Sequence, residues 1–129
     1  MSKNVVNWFE IYTSDFKRAK KFYTDVFKFE ITDMAPSANM NHPEMEYAFF
    51  PSDPQGWGAS GALAKLDMAK PGMGGTLVYF ATEDITAELN RVETAGGKII
   101  RPKQSIGEYG FIAMIEDTEG NMIGLQSMK

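Results

Sequence analysis

Residues 8–27, WFEIYTSDFKRAKKFYTDVF, decide the fold of this chain. They begin in a strand-like run that covers residues 5–12 and continue in a helix that runs from Asp15 to Phe27. Oxygen atoms of Thr13, Ser14 or Asp15 can cap this helix, because they accept from the free N–H groups of its first turn. Apolar residues recur at helical spacing, which predicts a buried stripe. The stripe comprises Phe16, Ala19, Phe22, Val26 and Phe27.

The same order of elements occurs a second time in residues 76–101. A strand-like run over 76–81 precedes a helix from about Ile85 to Ala95, which Asp84 caps. Glycines at 96–97 end it, since glycine adopts the left-handed conformation without a Cβ clash. The sequence therefore predicts one domain of two similar modules, at about 1–66 and 76–129, joined by a Gly- and Pro-rich linker at about 67–75. Such a duplicated sheet curls around a shared cleft, where small molecules bind.

Further strand-like runs complete each module and place the chain in the α+β class. We expect strands at about Phe29–Thr32, Glu46–Phe50 and Gly61–Lys65 in the first module, and at about Lys98–Arg101, Phe111–Glu116 and Met122–Met128 in the second. Residues 117–121, between the last two strands, are typical of a tight turn. Loops are expected over residues 34–44 and 51–60.

Alternation along the strands assigns side chains to the two faces of the sheet. Phe9 and Ile11 should pack under the helices, which sends Trp8, Glu10 and Tyr12 to the opposite, concave face. By the same rule the residues on the helix side in the second module are Val78, Phe80, Ile123 and Leu125, and those on the concave face are Leu77, Tyr79, Ala81, Gly124 and Gln126.

The composition excludes several classes of function. The chain has 129 residues, no cysteine and one histidine, so neither disulfides nor thiolate chemistry is available. Its net charge is −4 and its basic residues are dispersed, so we expect no nucleic-acid or membrane binding. No apolar run approaches the length of a membrane span, and no signal peptide is visible at the N-terminus. A cytoplasmic location is the expectation.

Two sets of residues give the chain a family resemblance. The first module contains Phe9–Ile11, Ser14-Asp15, Arg18-Ala19 and Phe22–Phe27. The second contains Val78–Phe80, Ala95–Lys98 and the turn Glu116–Asn121 followed by Ile123–Leu125. This pattern resembles the glyoxalase/bleomycin-resistance/extradiol-dioxygenase superfamily, also called vicinal oxygen chelate proteins, and most closely its glyoxalase-like, lactoylglutathione-lyase-related bacterial members. The resemblance implies two tandem βαβββ modules that form a curved mixed sheet or half-barrel around a central cleft.

Enzymes of that superfamily hold a divalent metal in the cleft, and the resemblance locates its ligand positions. The first-strand position falls on Trp8, the corresponding second-module position on Leu77, and the last-strand carboxylate position on Gly124. The fourth position falls around residues 61–63. None of these offers a carboxylate or imidazole donor. The sole histidine, His42, lies in a loop between prolines, so we expect no metal and no other cofactor, with a divalent metal only as an alternative.

Glu10 is the main candidate for chemistry, because it is a carboxylate expected between Trp8 and Tyr12 in an aromatic cleft. It would suit a general base or an anchor for a ligand, or it would simply pair with a nearby donor and fix the seam of the barrel. Glu116 either shares the cleft or caps the turn that follows it. Gln126 could donate a hydrogen bond to a ligand.

Aromatic and other large side chains are expected to line the cleft, since aromatic rings stack on planar ligands. The candidates are Trp8, Tyr12, Tyr47, Phe49, Tyr79 and Met114. Trp57, which lies among glycines, is interpreted as a lid over the cleft or a dimer contact, and Tyr109 is its counterpart in the second module. Ordinary core filling is the alternative for part of this set.

Three functions are compatible with these features. We favour a protein that binds a small molecule without the family's metal, as the drug-sequestering resistance proteins of the superfamily do. The alternative is an enzyme of lyase, isomerase or dioxygenase type, which would use Glu10 as base or an atypical metal site that includes Glu10 and Glu116. The third is an interaction module. A homodimer is expected, because an open aromatic face would otherwise leave a large apolar patch exposed.

Overall fold

The computed structural model describes residues 6–35, 45–67, 69–74 and 76–129. The elements in chain order are β1 (Trp8–Tyr12), α1 (Phe16–Phe27), β2 (Thr32–Asp33), β3 (Glu46–Phe49), β4 (Ser60–Lys65), β5 (Val78–Ala81), α2 (Ile85–Val92), β6 (Lys98–Ser105), a 3₁₀ helix (Gly107–Tyr109), β7 (Phe111–Glu116) and β8 (Met122–Ser127). No helix within these ranges is both long and apolar enough to cross a membrane.

The strands form two four-stranded mixed sheets with equivalent topology. The first has the order β1-β4-β3-β2 and the second has the order β5-β8-β7-β6. In each sheet the strand before the helix pairs in parallel with the last strand of its module, and the remaining pairs are antiparallel. This architecture confirms the α+β class and the two tandem modules.

Aromatic residues build one core that both modules share. Phe80 of β5 lies at its centre, with the rings of Phe27, Phe29 and Phe50 of the first module between 5.0 and 5.6 Å from its own. The predicted stripe of α1 is buried as expected. Tyr23, which the periodicity left out, is also fully buried. The two sheets are therefore held to one another through their helix-facing sides.

The turn at Asp117–Asn121 contacts the first module through its side chains. Asp117 accepts a hydrogen bond from the hydroxyl of Tyr23 on α1 at 2.7 Å. Glu119 accepts from the backbone N–H groups of Ser14 and Asp15, both at 2.8 Å, and from the guanidinium of Arg18. These contacts satisfy free N–H groups just before α1 and fix the start of that helix. The turn therefore joins the modules.

Several expected element boundaries were wrong. The expected strand Phe29–Thr32 is only Thr32–Asp33, because the ring of Phe29 stacks on Phe27 at 5.1 Å and draws this segment toward the core. Helix α2 ends at Val92, and residues 93–96 form turns. Strand β6 continues to Ser105 through two register shifts, and β4 begins one residue early, at Ser60.

The faces of the strands agree with the alternation. Trp8 and Tyr79 are 41% and 45% exposed, whereas Ile11, Phe80, Ile123 and Leu125 are buried. Phe9, Val78 and Leu89 are only half-buried, although they pack against the core, because they lie at its margin. His42 and most of the expected loop 34–44 lie outside the described residues.

Candidate functional site

The face of β1 that points away from the helices carries a continuous hydrogen-bond network centred on Glu10. The hydroxyl of Tyr12 donates to Oε1 of Glu10 at 2.9 Å, and the hydroxyl of Tyr47 donates to Oε2 at 2.6 Å. The indole N–H of Trp8 donates in turn to the hydroxyl of Tyr47 at 3.0 Å. Strand alternation brings Trp8, Glu10 and Tyr12 to one face, and Tyr47 reaches them from β3. Both carboxylate oxygens are therefore held in place.

Small side chains on β4 make this network possible. Strand β4 lies between β1 and β3, and its Ala62 and Ala64 pair with Glu10 and Tyr12 on one side and with Phe49 and Tyr47 on the other. Neighbouring strands lie about 4.8 Å apart, so the Tyr47 and Glu10 side chains together bridge about 10 Å. Both alanines are fully buried, as expected of methyl groups covered by their large neighbours.

Aromatic rings pack against one another beside this network. The Phe49 ring meets Trp8 edge-on at 6.1 Å and Tyr47 edge-on at 5.5 Å. Such edge-to-face packing fixes ring orientations and leaves ring faces available to a flat molecule. We refer to Trp8, Glu10, Tyr12, Tyr47 and Phe49 as the aromatic face.

Both tyrosines of the aromatic face keep their protons near neutral pH. Burial, followed by the hydrogen bond to Glu10, raises the pKa of Tyr47 to about 12, although the indole of Trp8 opposes this change. The hydrogen bond to Glu10, with burial as the second cause, raises the pKa of Tyr12. An ionised glutamate only accepts hydrogen bonds, so the two hydroxyls act as its donors.

Three recesses border the aromatic face. A seam recess of about 490 Å³ is lined by Val6, Phe9, Glu10, Ala59, Thr76, Leu77, Val78 and Tyr79, and it lies where β1 approaches β5. A loop recess of about 470 Å³ lies between Trp8 and the segment 51–60, and Ala59 borders both. A smaller linker recess of about 200 Å³ contains Glu10, Tyr12 and Lys70. Glu10 thus lines two of the three.

The second sheet contributes Tyr79 to the seam recess. Tyr79 of β5 pairs with Gly124 of β8, and a Cβ atom placed on Gly124 would overlap the Tyr79 ring. The ring therefore lies directly on the glycine. Glycine is required here for close approach rather than for an unusual backbone conformation.

A family comparison matches this architecture. The model of the Glyoxalase/Bleomycin resistance protein/Dioxygenase superfamily matches residues 5–125. The chain belongs to this superfamily. The resemblance inferred from Phe22–Phe27 of α1, from the Asp117–Asn121 turn and from the other matching segments is thereby confirmed.

Individual relatives give the same family. CFP32, a glyoxylase-like protein of Mycobacterium tuberculosis, is 30% identical over an alignment of 127 positions, which covers 92% of this chain and 44% of that protein. The chain thus spans less than half the length of the curated relatives it matches.

Solved structures share the fold. TnmS3, an antibiotic binding protein from Streptomyces sp. CB03234, is 26% identical with a TM-score of 0.65, and the match covers 98% of both chains. A glyoxalase/bleomycin resistance protein from Albidiferax ferrireducens has a TM-score of 0.69 at 17% identity, covering 96% of this chain and 98% of that one. The latter likeness supports the fold alone.

The positions of the superfamily's metal ligands do not suit a metal ion in this chain. Trp8 offers only an N–H donor, which Tyr47 already accepts. Leu77 is apolar, and Gly124 has no side chain and lies under the Tyr79 ring. Within the described ranges no three His, Cys, Asp or Glu side chains lie close enough together to hold a metal. The donor set therefore does not fit the metal of the superfamily's enzymes.

The remaining candidate residues lie apart from the network. Trp57 is fully exposed and lines the loop recess with Trp8. Tyr109 is 67% exposed, and its carbonyl accepts from the Gln126 amide at 2.9 Å, so this donor is already engaged within the chain. Met114 and Glu116 are half-buried on β7, where Met114 pairs with Gly124 and Glu116 ends the strand.

Several residues that border the site were not expected from the sequence. Val6, Ala59 and Thr76 line the seam recess, and Asp53 lines the loop recess. Ala62 and Ala64, over which Tyr47 reaches Glu10, were also missed. The sequence did carry a signal for them, because alanines at every second position of Ser60–Lys65 mark a strand that large neighbours cover. The recess-lining loop residues carry no comparable pattern.

Proposed function

We propose that this protein binds a small molecule on the aromatic face, without the metal site of the superfamily's enzymes. The observation that carries this proposal is the Trp8–Tyr47–Glu10–Tyr12 network, in which one carboxylate is held by two tyrosine hydroxyls beside partly exposed aromatic rings. A ligand gains from such a site because little side-chain freedom is lost when it binds. Seam and loop recesses of about 490 and 470 Å³ fall in the size range of small-molecule sites.

The similarity to TnmS3 supports the same function. That protein is described as antibiotic binding, and it covers nearly the whole of this chain. Binding of an antibiotic or a similar compound by this chain is our proposal.

A thermal-shift screen tests the proposed function. Aromatic metabolites, antibiotics and divalent cations are each added to the purified protein, and the melting temperature is recorded. A binder that is absent from the unfolded state raises it by mass action. We expect aromatic compounds to stabilise the protein and Trp8→Ala to abolish this shift. A screen in which divalent cations alone stabilise the protein would contradict the proposal.

Elemental analysis provides the corresponding test for metal. We expect no tightly held divalent ion, since Trp8, Leu77 and Gly124 lack donors. A content of about one Zn, Ni, Mn or Fe per chain that is lost in Glu10→Ala would show an atypical site.

An enzymatic role for Glu10 is the second candidate. Glu10 lines both the seam recess and the linker recess, so its carboxylate is within reach of a molecule in either. A carboxylate in that place would act as a general base in a lyase, isomerase or dioxygenase-type reaction. Incubation of each compound from the screen in D₂O, with wild type and Glu10→Gln, would reveal Glu10-dependent proton exchange or turnover.

We also propose that two copies of the chain associate. Trp8, Tyr79 and Trp57 are 41%, 45% and 103% exposed, which is costly for residues of this size if the surface stays uncovered. Light scattering should give about twice the chain mass of 14.4 kDa. A mass of one chain over a wide concentration range would exclude the dimer.

A further inference from the structure

Hydrogen-bond donors and acceptors are unequally available on the aromatic face. The indole N–H of Trp8 is taken up by Tyr47, and the hydroxyl hydrogens of Tyr47 and Tyr12 are taken up by Glu10. Every side-chain donor of the network therefore points inward. A bound molecule meets the remaining lone pairs of Glu10 and of the Tyr12 hydroxyl, which only accept.

The charges that line the two large recesses are both negative. Glu10 is the charged side chain among the residues that line the seam recess, and Asp53 is the charged one in the loop recess. Asp53 is exposed, and its Oδ1 accepts from the backbone N–H of Gln55 at 2.9 Å. Neither set of lining residues contains a lysine, arginine or histidine within the part of the chain that the structure describes.

Lys70 is the basic residue that lines the linker recess together with Glu10. Among the described residues it forms no ion pair within 4.0 Å with Glu10, whose oxygens receive the two tyrosine hydroxyls instead. Within the described ranges Glu10 thus has two hydrogen-bond donors but no ion-pair partner within 4.0 Å.

We propose that the ligand of the aromatic face is a flat cation that carries N–H donors, such as a protonated amino-heteroaromatic compound. This inference rests on the proposed function and names its ligand class. A cation over aromatic rings is attracted by their electron-rich faces. Its N–H groups form charge-assisted hydrogen bonds with a carboxylate, and these are about twice as strong as neutral ones. An anion would meet the carboxylates of Glu10 and Asp53, and none of the donors of the network would be free to bind it.

Three compounds with the same ring system test the charge preference. They are 4-aminoquinoline, which is protonated near neutral pH, neutral quinoline, and quinoline-4-carboxylate. Isothermal titration calorimetry gives the dissociation constant of each. We expect 4-aminoquinoline to bind roughly tenfold more tightly than quinoline, and the carboxylate to bind most weakly.

Two variants assign the preference to Glu10. Glu10→Gln keeps the shape of the side chain and should remove most of the tenfold advantage of the cation. Glu46→Gln is the matched control, because it makes the same change on an exposed residue of β3 whose side chain lies on the opposite face from Tyr47. It should leave all three constants unchanged.

A salt titration of the wild type keeps the test valid if Glu10→Gln fails to fold. Added salt screens charges, so the affinity for 4-aminoquinoline should fall while that for quinoline stays constant. Equal or tighter binding of quinoline or its carboxylate, or a cation affinity that is independent of salt, would overturn this inference and leave the proposed function intact. Failure of all three compounds to bind would also overturn this inference, whereas the thermal-shift screen decides the proposed function separately.

Discussion

The hydroxyl of Tyr47 on β3 donates to Oε2 of Glu10 on β1 at 2.6 Å, across the intervening strand β4. This contact spans two strand spacings and is possible because β4 presents Ala62 and Ala64 at the crossing. It positions the carboxylate together with the Tyr12 contact, and it links β1 and β3 without a shared backbone hydrogen bond. The aromatic face therefore depends on the small side chains of Ala62 and Ala64 as well as on its own residues.

Ala64→Leu should break the contact between Tyr47 and Glu10. Ala64 is fully buried between Tyr12 and Tyr47, so three additional carbon atoms have no room. Overpacking of this kind costs about 1–3 kcal/mol of unfolding free energy, and the affinity for 4-aminoquinoline should fall with it. Urea denaturation and calorimetry measure the two effects.

Ala81→Leu is the control for this change, because Ala81 is exposed on β5 and a larger side chain there meets solvent. Wild-type stability and affinity in Ala64→Leu would show that the crossing over β4 is not required.

Glu119 should make the stability of the protein depend on acid pH. Burial acts to raise the pKa of Glu119, but hydrogen bonds from Arg18, from the backbone of Asp15 and Ser14 and from Thr118 outweigh it and lower the pKa to about 2. The folded state therefore holds the proton less tightly than the unfolded state. The stabilisation is fully present above about pH 5 and is lost as the pH falls to about 2.

Glu119→Gln should remove this dependence. It should lower the free energy of unfolding near neutral pH by roughly 1–3 kcal/mol and flatten the decline between about pH 5 and pH 2. Asp117 has the opposite effect on the pH dependence of stability, because burial raises its pKa despite the hydrogen bond from Tyr23. Asp117 is present in both proteins, so the difference between the wild-type and variant pH profiles reports the contribution of Glu119. Parallel pH profiles of the two proteins would contradict the assignment.

Gly124→Ala should cost stability through Tyr79. A Cβ atom on residue 124 would overlap the Tyr79 ring, which has to swing away from β8. The ring is 45% exposed and can move, so we expect a loss of about 1 kcal/mol. The same substitution in a Tyr79→Ala background should cost little, since no ring remains to be displaced. Equal losses in the two backgrounds, measured as a double-mutant cycle, would show that residues 79 and 124 are not coupled.

The sequence predicted the parts of the fold that follow from periodicity. The stripe of α1 and the opposite orientations of Trp8 and Ile11 follow from the spacing of apolar residues, and the structure confirms both. The strand expected at Phe29–Thr32 was wrong, because stacking of Phe29 on Phe27 overrides local strand preference. Contacts between aromatic rings that are far apart in the sequence cannot be predicted from the local pattern of residues.

The site was predictable to a similar extent. Alternation brought Trp8, Glu10 and Tyr12 to one face, and the idea that Glu10 pairs with a nearby donor agrees with its two tyrosine contacts. That Tyr47 is one of those donors depends on the order β1-β4-β3, which the sequence does not state. The turn at 117–121 was expected as a turn, but its contacts with Tyr23 and Ser14 depend on how the modules pack.

The two tryptophan indole signals in a ¹H–¹⁵N correlation spectrum give the most direct test of ligand binding at the aromatic face. The chain contains two tryptophans, and Trp57→Phe identifies the signal of Trp8. When 4-aminoquinoline is added, the Trp8 signal should shift and saturate, because its N–H group lies in the hydrogen-bond network with Glu10. In Glu10→Gln the shift should be largely lost at the same concentration. A Trp8 signal that stays in place while the compound binds, or that moves equally in Glu10→Gln, would contradict the account.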